Sequence, residues 1–177
     1  VYTSDQGFYL GEHGWFDKRF IYDESFKTPL LVRWPNEIKP GTTSDEMVQN
    51  LDFAQTFLEA AMLEVPNDMQ GESLMPLLKG NTKDWTREAV YYHYYEYPSV
   101  HMVKRHYGII NKEFKLVHFY YDVNEWELYD RKNDPNEMNN VYSNPDYKEV
   151  VEKLTQELKE MRIKYKDSKE LDESFIY

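Results

Sequence analysis

The chain opens Val1-Tyr2-Thr3-Ser4-Asp5-Gln6-Gly7-Phe8-Tyr9-Leu10-Gly11-Glu12-His13-Gly14, and this stretch decides how the rest is read. Its first three residues are β-branched or aromatic and read as the end of a β-strand. They run directly into a glycine-punctuated loop. A carboxylate, Asp5, and a side-chain amide, Gln6, stand side by side at that strand end. Both can offer oxygen to one hard cation, and in open α/β sheets the carboxyl edge of the strands is where ligands bind. The same residues also suit a plain turn in which Asp5 accepts from backbone N–H groups. Spacing alone leaves both readings open. Natural chains seldom begin inside a buried strand, so a missing N-terminal part is expected ahead of residue 1.

Composition narrows the function classes. A chain of 177 residues can bury one sizeable core, or a medium core with a small satellite. With 41% hydrophobic and 30% charged residues it reads as globular. No run approaches the ~18 apolar residues of a membrane-spanning helix. The net charge of -11 disfavours nucleic acid and anionic membranes as partners. An anionic substrate would need a local cation cluster or a metal. There are no cysteines, which excludes disulfides, Cys-type zinc sites and a Cys nucleophile within this chain. The 16 tyrosines suit either a small core or a half-wet, sugar-binding cleft.

Further along, residues 29–34 (PLLVRW) form an apolar run stopped by Pro35 and predict a strand buried on both faces. Asp52 reads as the N-cap of a helix over 53–62, with Phe53, Phe57, Leu58 and Ala61 on one face. Residues 71–78 read as a turn plus a short helix, and 81–85 as a boundary. Strand signals then recur over 89–95, 102–110, 114–121 and 125–129, at a spacing that predicts a four-stranded antiparallel sheet. Asn144-Pro145 starts a helix whose stripe of Tyr147, Val150, Val151, Leu154, Leu158 and Met161 would cover one sheet face. An irregular tail is expected from Asp167. The fold class is thus α/β to α+β.

Four motifs carry a resemblance. They are Ser4-Asp5-Gln6-Gly7 with Leu10-Gly11-Glu12-His13-Gly14, Lys18 and Thr28-Pro29-Leu30; Asn50 to Phe57; Gly71-Glu72-Ser73-Leu74-Met75-Pro76-Leu77-Leu78-Lys79-Gly80; and Trp126-Glu127-Leu128-Tyr129-Asp130 with Asn133-Asp134-Pro135. Together they resemble the C-terminal third of the sulfatase family, in the alkaline-phosphatase-like superfamily. The resemblance implies that residues 1–82 are the C-terminal edge of a large α/β/α sandwich. Residues 83–177 would then be an antiparallel-sheet subdomain with a terminal helix.

By the same resemblance, Asp5 matches the metal-binding aspartate and Gln6 its neighbouring ligand. The implied ion is Ca²⁺, which hard oxygen donors suit. Lys18 matches the lysine that contacts the sulfate group. His13 either faces the substrate or holds the loop. The family's nucleophile is a formylglycine made in a Cys/Ser-x-Pro-x-Arg motif, expected upstream; Ser143-Asn144-Pro145 lacks the arginine. This chain alone is therefore expected to be inactive and to need the missing N-terminal part. The implied substrate is a sulfated carbohydrate, and the implied location periplasmic or secreted. A phosphodiesterase or phosphoglycerol transferase of the same superfamily is the alternative, as is a non-catalytic carbohydrate-binding module.

Residues 93–107 gather His93, His101, Lys104, Arg105 and His106 among tyrosines. They read either as a cationic, aromatic patch that grips an acidic sugar or as a solvated hairpin. On the first reading His101 and Arg105 select the substrate from one face of a strand, about 13 Å apart. His118 alternates with core residues and reads as structural.

Overall fold

The computed structural model describes residues 1–175. Its elements in chain order are β1 (Tyr2–Thr3), β2 (Tyr9–Leu10), β3 (Phe16–Asp17), α1 (Asp23–Phe26), β4 (Leu30–Leu31), α2 (Asp52–Ala60), α3 (Met75–Leu78), β5 (Ala89–Tyr94), β6 (His106–Asn111), β7 (Phe114–Phe119), β8 (Glu125–Asp130), α4 (Lys148–Lys164) and α5 (Lys169–Ser174). They fall into two compact units. One combines Val1–Asp5 with Pro29–Glu88; the other combines Gln6–Thr28 with everything from Ala89 onward. The division expected at 82/83 thus lies at 88/89. Gln6–Thr28, expected in the first unit, packs in the second because Phe20, Ile21 and Tyr22 are buried there.

In the first unit β1 pairs antiparallel with β4, Tyr2 opposite Leu31 and Thr3 opposite Leu30. The strand expected over 29–34 keeps only two paired residues and is not buried on both faces. Leu31, Val1 and Tyr2 are all more than 60% exposed, because β4 has no second strand neighbour among the described residues. Helix α2 is turned against its expected face: Asp52, Gln55 and Thr56 are buried, while Phe57 is exposed. Asp52 is not the N-cap but the first helical residue. Its carboxylate accepts from Gln49 N at 2.8 Å and Glu72 N at 2.9 Å, and receives both Arg87 Nη atoms at 2.5 and 2.7 Å. Thr56 Oγ1 donates to the Asp52 carbonyl and accepts from Leu74 N. Gly71 is required where the chain crosses, since a Cβ there would lie 2.1 Å from the Leu51 carbonyl oxygen. The apolar side of α2 lines a groove with Val1, Leu30, Val32 and Leu78.

The second unit is built on the expected four-stranded sheet, order β5-β6-β7-β8, all antiparallel. Strand alternation sends Ile109, Leu116 and Leu128 to one face. There they pack with Leu154 and Leu158 of α4, flanked by Tyr147, Val150, Val151 and Met161. Burying one such side chain is worth about 1.5–3 kcal/mol. Asn144 caps the turn ahead of α4 by accepting from Asp146 N.

The sheet's next-door positions point the other way and meet the Gln6–Thr28 segment, a strap made of the β2–β3 hairpin and α1. Lys115, fully buried, reaches Asp23 at 3.0 Å and Glu137 at 2.5 Å, and Arg131 closes the knot on Asp23 at 2.9 Å. Burial would raise the Asp23 carboxyl, but Lys115 and Arg131 outweigh it and hold it below the ordinary range. Gly7 lets the strap close on α1, as a Cβ there would sit 1.9 Å from the Glu24 carbonyl oxygen. Two boundaries differ from expectation. β6 starts at His106 rather than 102; just before it the Arg105 carbonyl still accepts from Tyr120 N at 3.3 Å, and residues 101–104 pair with no strand among the described residues. The tail expected to be irregular contains α5, capped by the Ser168 side chain; its last two residues lie outside those described.

Candidate functional site

Asp5 ends the first unit and Gln6 begins the second. The Asp5 carboxylate is exposed, with Ser4 Oγ at 3.4 Å, and its carbonyl accepts from Asn50 Nδ2 at 3.1 Å. An exposed carboxylate beside a carboxamide fits the donor chemistry of Ca²⁺. The pair is well short of the roughly six to eight oxygens such an ion takes.

The strap turns at Glu12–Gly14 with His13 in the left-handed region, φ 55°. The backbone N–H groups of Glu12 and Leu10 hold the Glu12 carboxylate below its ordinary range. His13 Nε2 lies 3.2 Å from Glu24 Oε2, and its ring stacks on Tyr22 with centroids 4.3 Å apart. Of its two expected roles this geometry serves the loop-holding one, through a carboxylate and a ring rather than backbone carbonyls.

Lys18 follows β3. Its carbonyl accepts from the buried Ser25 hydroxyl at 2.6 Å, and among the described residues its ammonium makes no ion pair. On either side of it in sequence, Asp17 and Arg19 pair with each other and both meet His101. Arg19 Nη1 donates to Asp17 Oδ1, Arg19 Nη2 reaches His101 Nε2 at 2.7 Å, and His101 Nδ1 lies 3.2 Å from Asp17 Oδ2. A guanidinium only donates, so Nε2 accepts and Nδ1 carries the proton. The Tyr92 hydroxyl donates to the Arg19 carbonyl and so pins the segment to β5.

Arg105 corrects an expectation. Residues 101–105 are not a strand, so the face it was to share with His101 does not exist. Arg105 is 1% exposed. Its Nε donates to the Tyr97 carbonyl at 2.6 Å, Nη1 to Asp172 at 3.0 Å and Nη2 to Phe175. A guanidinium spent on three carbonyls and closed to solvent is a strut for α5, out of a ligand's reach. The expected cationic patch also dissolves. His93 is buried between Asp167 and Asp172, and Lys104 is paired with Asp122. His106 lies among the rings of Phe20, Tyr94 and Phe119. Its Nδ1 donates to the Lys104 carbonyl, and burial pushes its pKa down to about 4. His101 alone among the three histidines stays open to solvent, its side chain 31% exposed. His118 is structural as expected, stacked on Trp126 at 3.9 Å.

Among the described residues, His93, Asp167 and Asp172 place ligand atoms within 4.8 Å of one another. Arg162 already sits on both carboxylates, at 3.4 and 2.8 Å. That cluster is a closed charge network. Asp17 and Arg19 are the residues the sequence reading passed over. Their signal was present only as charges flanking Lys18, and their partner lies 82 residues away.

Comparison with known proteins then places the chain. The family model "N-sulphoglucosamine sulphohydrolase, C-terminal" matches residues 11–164. An N-acetylglucosamine-6-O-sulfatase of Bacteroides thetaiotaomicron is 56% identical over 95% of this chain, which spans 30% of that relative's length. A structure solved with its substrate, D-glucosamine-2-N,6-O-disulfate, superposes with a TM-score of 0.91 at 55% identity, over 95% of this chain and 34% of that one. A phosphonate monoester hydrolase of Agrobacterium radiobacter gives 0.78 at 26% identity, over 91% and 34%.

Proposed function

The chain belongs to the sulfatase family, matching the model of its N-sulphoglucosamine sulphohydrolase C-terminal region, and from that premise we propose that the whole protein hydrolyses the 6-O-sulfate ester of a glucosamine-type sugar. The observation that carries the reading is the 56% identity, over nearly the whole chain, to an N-acetylglucosamine-6-O-sulfatase. The phosphorus-ester alternative has only 26% identity behind it.

In this reading Lys18 meets the sulfate. As the S–O bond breaks, negative charge gathers on the bridging oxygen, and an ammonium aimed at the sulfate stabilises that state. The absence of a carboxylate partner for Lys18 among the described residues supports the role. Asp5 and Gln6 would hold Ca²⁺ as two of several ligands; when bound, the ion supplies further charge stabilisation to the sulfate oxygens. Ser143-Asn144-Pro145 leads into the capped turn before α4, so the formylglycine nucleophile is assigned to residues outside this chain. Residues 1–177 alone are then inactive. The periplasmic or secreted location belongs to the same proposal; no helix among the described residues is long and apolar enough to cross a membrane.

The test is Lys18→Ala in the full-length protein. Losing one such contact should lower kcat on a 6-sulfated glucosamine by about 10² to 10³, with an unchanged melting temperature. Near-wild-type kcat/KM removes the assignment. Added Ca²⁺ should raise the wild-type melting temperature by mass action, and Asp5→Ala should abolish the rise.

A further inference from the structure

The buried guanidinium of Arg105 joins helix α5 to the segment that carries His101. We propose that Arg105 is a positioning residue for the reaction: through His101 it sets the Arg19 and Asp17 side chains on either side of Lys18. This rests on the sulfatase reading above and extends it to a group remote from the sulfate.

The segment concerned leaves the sheet after Tyr94 and rejoins it at His106, and those two residues pair with each other. Between them it makes turns of its own, Tyr97 N to the Tyr95 carbonyl at 2.9 Å and Met102 N to the Ser99 carbonyl at 3.1 Å. Residues 95–104 pair with no strand among the described residues, so side chains must place the segment. Val103 is buried, but apolar burial is non-directional. Direction comes from Arg105. Its Nε donates to the Tyr97 carbonyl at 2.6 Å and so ties the outgoing limb to the returning one. Its other two nitrogens donate to the carbonyls of Asp172 and Phe175, 67 and 70 positions along the chain. These lie in the last turn of α5 and at its C-cap. The last carbonyls of a helix lack intrahelical donors, and an arginine can supply them.

Helix α5 is itself fixed. Arg162 Nη2 donates to both Asp172 carboxylate oxygens at 2.9 and 2.8 Å, and the Phe175 ring lies 4.6 Å from that of Tyr95. A second tie on the segment, from Lys104 to Asp122 and the Tyr97 hydroxyl, joins side chains that are 36 and 44% exposed at the ion pair, and such pairs hold weakly. Arg105 is closed to solvent, with the Tyr121 ring 4.7 Å from its guanidinium carbon. A planar fork that meets three acceptors fixes orientation as well as distance. The contacts thus run from α5 to Arg105, from Arg105 to the limb at Tyr97, along that limb to His101, and from His101 to Arg19 and Asp17.

The experiment uses the full-length protein and a 6-sulfated glucosamine, with each variant assayed well below its melting temperature. Arg105→Met and His101→Ala should each lower kcat/KM roughly tenfold to a hundredfold, as small misplacements around a reacting group do. The double variant should lose no more than the larger single loss, because both changes cut one path. Losses that multiply would overturn the proposal, as would a near-wild-type value for either single variant. Arg105→Lys keeps a buried cation and serves if Arg105→Met does not fold. It reaches the three carbonyls less completely, and its smaller loss should likewise vanish beside His101→Ala. Lys104→Ala should stay near wild type; a loss equal to that of Arg105→Met would put the effect in the whole segment and not in Arg105. A readout without turnover is the His101 ring, followed by nitrogen NMR of histidine-labelled protein. Arg105→Met should move His101 from the Nδ1-protonated form toward a mixture of tautomers while His13 and His118 keep their shifts. An unmoved His101 overturns the coupling even where activity falls. If the wild type cleaves no sulfate ester, the sulfatase reading fails and the role in the reaction with it, whereas the NMR comparison still decides whether Arg105 positions His101.

Discussion

The long helices of the two units bury opposite kinds of face: α4 buries Leu154 and Leu158, α2 buries Asp52, Gln55 and Thr56. The unit built on the β5–β8 sheet hides Ile109, Leu116, Leu128, Leu154 and Leu158. The unit built on α2 hides Asp52, Gln55, Thr56 and Arg87 and leaves Val1, Tyr2, Leu31 and Phe57 exposed. The first arrangement follows the hydrophobic effect directly. The second inverts it, and an amphipathic helix can be turned that way only if its polar side meets complete partners. Asp52 has four donors on its two oxygens, and Thr56 both donates and accepts. The contrast teaches that hydrophobic periodicity locates a helix without saying which side faces inward.

That contrast can be broken by substitution. The largest effect is expected from Arg87→Met, which leaves the fully buried Asp52 carboxylate without its cation. Removing one member of a buried pair costs about 3–5 kcal/mol, read as a shift of the denaturant midpoint. A loss below about 1 kcal/mol would mean that the polar core does not hold this unit.

Next in size is a matched pair. Leu116→Ala, at a site with no exposure, should cost about 2–5 kcal/mol. Phe57→Ala, 53% exposed, should stay near the ±0.5 kcal/mol of surface changes. Similar losses for the two would erase the difference between the units.

The last effect concerns pH. His106 is neutral in the folded protein because burial lowers its pKa from 6.5 to about 4. Between those values the unfolded chain binds a proton that the folded chain does not. Stability therefore rises with pH from about 4 to 6.5 and is flat above, with a slope of at most about 1.4 kcal/mol per pH unit. His106→Phe, placed among Phe20, Tyr94 and Phe119, should flatten melting temperature against pH in that window. Asp167 acts lower. Burial would raise it, but His93 and Tyr91 outweigh burial and bring it to about 2, so its stabilisation is full above 3.8 and fades as pH falls toward 2. A persistent slope from 4 to 6.5 in the His106 variant would assign the slope to other groups.

The strongly periodic parts were legible in the chain. The sheet strands and the stripe from Tyr147 to Met161 repeat at 2.0 and 3.6 residues, and burial of one face requires those periods. The motifs from Asp5 to Lys18 and from Gly71 to Gly80 were legible as a family pattern, but the reason for two of their glycines was not: Gly7 and Gly71 admit backbone from Glu24 and Leu51, distant along the chain. Tertiary structure alone decided which charged side chains stay open to solvent. Arg105 and His93 look in sequence like members of an exposed patch, yet the partners that close each off include Asp172 and Asp167, 67 and 74 positions away. Asp17 and Arg19 gained a shared partner in His101 only when the strap folded onto the sheet. Periodicity is a property of neighbours along the chain, whereas the solvation and pairing of a charge depend on what distant segments bring beside it.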